Sequence, residues 1–141
     1  MGVLTDIVVA ASSQASEVLA SNVPSDDFPG FDAKGLDQIM LATLWAFLTR
    51  TAYDPKWVTE MPLVAGDEEE GPWVFQIPSP MTERLGALPE TEWKHIADQW
   101  GQTEEMVGVP PENIAALLEN LVRFARQATA EQKHLLMWMS L

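Results

Sequence analysis

The 141-residue chain contains no cysteine. Disulfides, thiolate nucleophiles, zinc fingers and cysteine-held clusters are therefore excluded, and the fold must hold by packing alone. Histidine is nearly as scarce: only His95 and His134 could titrate near neutral pH or offer an imidazole to a metal. Basic side chains number eight against 21 acidic ones, a formal net charge of −13. A surface of that sign repels phosphate backbones and anionic lipid, so neither nucleic acid nor a membrane is expected as a partner. The longest apolar run, residues 39–48, is broken by Thr43 and too short to span a bilayer. The first residues lack the basic start of a secretory signal, and Asp6 stands where a myristoylation site needs Ser or Thr. A soluble, cytoplasmic protein with no cofactor and no metal is the expectation.

Against these absences stand six tryptophans and a hydrophobic fraction of 47%, which is too high for a disordered chain. The length suits one domain covering residues 1–141. Residues 3–10 are β-branched and apolar, as in a buried strand. Ser12 and Ser13 offer caps for a short helix with Ala15, Val18 and Leu19 on its apolar side. Residues 22–35, punctuated by Pro24, Pro29, Gly30 and Gly35, read as loop. Residues 36–50 are apolar nearly all round, the pattern of a helix inside a domain. Residues 53–61 read as a short helical or irregular connection, with Pro55 in a first turn.

Residues 62–77 read as a hairpin whose tip is the charged run from Gly66 to Gly71. Ser79 and Pro80 open another short helix as cap and first residue. Trp93, Ile96, Ala97 and Trp100 then form one stripe within residues 90–105. After Pro110 and Pro111 comes the clearest amphipathic helix, with Ile114, Leu117, Leu118, Leu121, Val122, Ala125 and Ala128 at helical spacing. Arg123 and Arg126 fall where the dipole of that helix favours cations, and Glu119 and Arg123 are paired at i, i+4. The chain closes on an apolar run, residues 134–141, consistent with an interior strand, although its periodicity alone also fits a helix.

This order of elements predicts an α+β domain: a small, mainly antiparallel sheet of about four strands covered by helices. It resembles the small uncharacterised bacterial YfbM-like family. The shared features are the early strand over residues 3–10, the loop and helix over 32–50, and the closing helix with its strand over 134–141. The resemblance implies the fold alone and brings no catalytic motif with it.

No chemistry-bearing pattern is complete. Gly30 and Gly35 have the glycine spacing of a phosphate loop, but Leu36 and Asp37 replace the lysine and hydroxyl that clamp phosphate and magnesium. Glu92 and His95 share a helix face at the spacing of carboxylate-bridged metal sites, which need a second such motif that is missing here. His134 stands at the start of the last strand, as a cap on its edge. No Gly-x-Ser-x-Gly occurs, and no catalytic residue is assigned.

Asp67, Glu68, Glu69 and Glu70 form the densest run of charge. Their spacing does not suit calcium, which leaves a solvated tip guarding an edge strand or a docking surface for a basic partner. Trp45, Trp93 and Trp138 fall on core positions, whereas Trp57, Trp73 and Trp100 flank loops or stripe edges where partial exposure is open. Tryptophan supplies binding energy with few rotors, so Trp73 and Trp57 join the four acids as candidate binding residues. Three function classes follow. The first is an acidic protein-binding module of adaptor, inhibitor or immunity type, with a DNA mimic as its variant. The second is a structural homodimer using the apolar C-terminal strand. The third is a metal-dependent enzyme using His95.

Overall fold

The computed structural model describes residues 4–141, so Val3 and the start of the expected first strand lie outside the described residues. In chain order it contains β1 (Leu4–Ala10), α1 (Ala15–Ala20), α2 (Pro24–Asp27), β2 (Gly30–Asp32) and α3 (Gln38–Thr49). These are followed by α4 (Lys56–Thr59), β3 (Leu63–Gly66), β4 (Trp73–Gln76), α5 (Ser79–Gly86), α6 (Glu90–Gly101), α7 (Pro111–Ala130) and β5 (His134–Ser140). The strands form one sheet in the order β2-β1-β5-β4-β3, and every neighbouring pair is antiparallel. The fold is α+β, with five strands where four were expected.

The fifth strand is β2, inside the stretch read as loop. Its three residues carry no strand signal of their own; Gly30 and Phe31 are extended because they pair with Val8 and Ile7 of β1. Pro24–Asp27, also within that stretch, is a single helical turn started by its proline. Gly30 is required here. A Cβ at this position would collide with the Ile7 carbonyl and lie 2.9 Å from Val8 Cα.

The continuous apolar run of β5 has a simple cause. The strand is central, paired with β1 on one side and β4 on the other, and both of its faces are covered. Leu135, Met137 and Met139 join Ile7, Val9 and Ile77 under helices α3, α5, α6 and α7. Leu136 and Trp138 join Val8 and Val74 under the thinner cover of α1, with Ala15 and Val18. An antiparallel strand alternates only when one face is wet, and this one has none. His134 therefore begins an interior strand, where its register partner is Ala10, and guards no edge. Within the apolar C-terminal run, Leu135, Leu136, Met137, Trp138 and Met139 are buried inside the domain, and Leu141 is exposed.

On the helical side, α7 buries Ile114, Leu118, Leu121, Val122, Ala125 and Ala128, with Leu117 half-buried beside them. Phe31 on β2 stacks on Phe124 with ring centroids 5.6 Å apart. Helix α3 is capped by Asp37, whose Oδ1 accepts the Met40 N–H at 2.9 Å. Leu41, Leu44 and Leu48 are buried, but Ile39 is 42% exposed and Trp45 half-buried. A sequence apolar nearly all round predicts a helix inside the domain; one face instead meets α4 through a Trp45–Trp57 contact at 4.6 Å between centroids and keeps Ile39 exposed.

Two expected caps are replaced. No side-chain bond runs from Ser79, which follows the N-cap residue Pro78. Near Ser12 and Ser13 it is Gln14 that reaches back, its Oε1 accepting the Ala11 N–H at 2.9 Å. Trp93 is half-buried rather than core, and Trp100, placed at a stripe edge, is fully buried, its Nε1 donating to the Met40 carbonyl at 3.1 Å. That bond ties α6 to α3. Trp138 is buried as expected, and its Nε1 is the one buried side-chain polar atom without a partner among the described residues.

Arg126 also departs from its expected role. Rather than serving the dipole of its own helix, it donates to the Gly86 carbonyl at 3.1 Å and the Leu88 carbonyl at 2.9 Å. It thus closes the C-terminus of α5, where backbone carbonyls lack helical donors. Trp93 Nε1 donates to the same Leu88 carbonyl at 3.2 Å, and the guanidinium carbon of Arg126 lies 5.6 Å from the Trp93 ring centroid. One exposed arginine therefore joins α5, α6 and α7. Arg126→Ala should cost about 1–2 kcal/mol, and Arg126→Lys should recover only part because an ammonium lacks the planar fork. Thermal denaturation of the two variants checks this; equal melting points for Lys and wild type would contradict it.

Candidate functional site

The acidic run lies where the hairpin reading put it. β3 ends at Gly66, whose φ of +103° belongs to glycine, and a side chain there would meet the Pro72 carbonyl. The turn that follows is shaped by Asp67, whose Oδ1 accepts the Glu69 N–H at 2.9 Å. Asp67, Glu68, Glu69 and Glu70 are all exposed. The ion pairs among the described residues are Arg50–Glu92, Lys56–Asp54, Lys94–Asp98, Arg123–Glu119 and Lys133–Glu131. None of them involves the tip. Four carboxylates thus face water uncompensated at the end of β3, which is an edge of the sheet.

Most of the basic side chains are engaged elsewhere by these pairs. Asp98, one turn along α6, holds the Lys94 ammonium pKa above its ordinary value, first through a hydrogen bond and then through charge. The Glu131 carboxyl is held below its ordinary range by the Gln127 side chain and then by Lys133.

The two tryptophans expected beside the tip are less open than a hot spot would be. Trp73 is half-buried, its ring lying so close over Gly71 that a Cβ there would be 2.8 Å from the indole. It packs against the main core and presents only an edge next to the acids. Trp57 is half-buried against Trp45, so it is held by α3 and does not stand free as a partner for the tip.

A separate cleft is lined by the C-terminal end of α3 and the residues after it, by α5 and the residues after it, and by one face of α6. It holds about 560 Å³, and its lining includes the half-buried Phe47 and the buried Leu88 and Ile96. Its polar lining includes Arg50, Arg84, Glu92 and His95. Glu92 and His95 do share one face of α6, as their spacing predicts. The same cleft is lined by Arg50 and Arg84 rather than by further carboxylates, and Glu92 Oε1 is 3.7 Å from Arg50 Nη2. Among the described residues no group of three or more His, Asp or Glu side chains is arranged to hold a metal ion. No helix of the described residues is long and apolar enough to cross a membrane.

Sequence reasoning singled out His95 but missed Arg50 and Arg84. His95 lies on α6, Arg84 on α5 and Arg50 just after α3; they converge only in the fold, and no spacing along the chain announces them. One local signal was present: Arg50 directly follows a strongly apolar helix, the position at which a chain usually places a C-terminal cap.

No protein-family model, no curated protein and no solved structure matches this chain.

Proposed function

We propose that this chain is a non-catalytic, cytoplasmic docking module that recognises a basic protein partner through its acidic hairpin tip. The observation that carries the reading is the tip itself: Asp67, Glu68, Glu69 and Glu70, all exposed and outside every ion pair among the described residues. Mutual repulsion among four adjacent carboxylates is relieved by an incoming cation, so the tip gains most from a lysine- or arginine-rich surface. The net charge of −13 extends the attraction beyond contact distance and speeds encounter. The edge of Trp73 beside the tip supplies apolar area once the partner is seated. A sheet edge paired on one side only is guarded by the same charges against indiscriminate strand addition.

The test compares two baits in one lysate at low salt: the wild-type chain and the variant D67N/E68Q/E69Q/E70Q. A basic protein retained by the first and lost from the second is the expected result. Identical sets of proteins on both baits would overturn the reading. The substituted side chains are exposed, so the variant should keep its melting point, and this controls for misfolding.

A further inference from the structure

The cleft between α3, α5 and α6 is a site that the docking reading does not use. The chain carries 21 acidic and eight basic residues, yet the cleft's charged lining inverts that ratio, with Arg50 and Arg84 against the single carboxylate of Glu92. Glu92 occupies only Arg50, at 3.7 Å, and Arg84 belongs to no ion pair among the described residues. The same lining includes the apolar side chains of Phe47, Leu88 and Ile96. A pocket that combines apolar side chains with a small number of charged groups orients an amphipathic ligand by its head.

The backbone at Arg50 adds a second, independent observation. Arg50 caps α3 in the left-handed conformation, φ 55° and ψ 42°, its N–H donating to the Ala46 and Phe47 carbonyls. Glycine adopts that conformation freely, whereas a residue with a Cβ is disfavoured there. The side chain it carries at that cost is 88% exposed and directed to the cleft mouth rather than packed. Its backbone caps the helix, while its exposed side chain has Glu92 as its one ion-pair partner among the described residues.

We propose that this cleft binds a small organic oxyanion, with an aliphatic or aromatic body on Phe47, Leu88 and Ile96 and a carboxylate or phosphate head between Arg50 and Arg84. A planar guanidinium suits either head through paired N–H donors. Glu92 competes with the head for Arg50 and so acts as a built-in counter-ion that the ligand displaces.

The test titrates the full chain with octanoate, phenyl phosphate, acetate, inorganic phosphate and neutral octanol at fixed ionic strength, following backbone amide shifts by NMR. Octanoate or phenyl phosphate should shift amides in residues 46–51, 84–89 and 92–99, at least about tenfold more tightly than acetate or inorganic phosphate. The head group that binds tighter tells a carboxylate ligand from a phosphate one. Arg84→Gln should weaken the better ligand about tenfold, the usual loss for one hydrogen bond to a charged group. Glu92→Gln should act in the opposite direction and tighten it. Arg50→Gly should weaken binding while leaving the melting point equal or higher, which a merely structural arginine would not do. Shifts that are absent, that octanol reproduces, or that survive Arg84→Gln and Arg50→Gly unchanged would overturn the proposal.

Discussion

Trp100→Ala should lower stability by about 3–5 kcal/mol, the range for deleting a large aromatic from a packed core. For a chain of this size the melting point should fall by roughly 10–20 °C. The indole is fully buried, and its loss opens a cavity where α6 crosses α3. It also removes the donor of the 3.1 Å bond to the Met40 carbonyl. Trp100→Phe separates the two effects, since it keeps most of the apolar volume and deletes only the donor. It should cost about 1–3 kcal/mol. Trp57→Ala is the comparison on the surface side: its ring is half-buried against Trp45 alone among the aromatic pairs, and its cost should be clearly smaller. Thermal or chemical denaturation gives all three values. A Trp57→Ala loss equal to that of Trp100→Ala would contradict the assignment of Trp100 as the interior anchor.

Gly30→Ala should cost about 2–3 kcal/mol, although it adds a single methyl at the sheet edge. The added carbon would collide with the Ile7 carbonyl and come within 2.9 Å of Val8 Cα. Backbone atoms of a buried central pair cannot give way, so β2 must lift instead. Lifting breaks the bonds from the Val9 N–H to the Pro29 carbonyl (2.7 Å) and from the Ala33 N–H to the Thr5 carbonyl (2.8 Å). It also unstacks Phe31 from Phe124. Hydrogen exchange should therefore quicken at Val9 and Ala33 well before it does along β5. Unchanged protection at those two amides, with an unchanged melting point, would show that the edge tolerates a side chain.

The contrast between Trp100 and β5 shows what could be read before the fold was known. α7 and the β3–β4 hairpin follow from their own residues, because a 3.6-residue stripe and a charged turn each dictate a local conformation, and the continuous apolar run of β5 marks a buried element even where it does not choose strand over helix. The exposure of Trp100 depends on α3, a segment 60 residues away whose Met40 accepts its N–H. The same holds for β2, which is a strand only because β1 lies beside it, and for Arg126, whose carbonyl partners sit 38 and 40 residues earlier. Helix caps failed for a different reason. Ser12, Ser13 and Ser79 are good capping residues, but Gln14 bonds the Ala11 N–H instead, and Ser79 falls one place inside α5, whose N-cap is Pro78 with its carbonyl accepting from the Met81 and Thr82 N–H groups. The acidic tip was legible because its residues are consecutive. The cleft was not, since Arg50 follows α3, Arg84 lies on α5 and His95 on α6, and they line one cleft only in the fold.

A hairpin tip of uncompensated carboxylates, on a domain built from packing alone, is the feature from which the functional account proceeds. The decisive measurement is the association rate of the wild-type chain with its captured basic partner as salt is raised from about 20 to about 500 mM, where the Debye length drops below the reach of the tip's field. The account predicts a fall of at least about tenfold, and a slow, nearly salt-independent rate for D67N/E68Q/E69Q/E70Q. A wild-type rate that stays level across that range, or one that the neutralised tip matches, would contradict it.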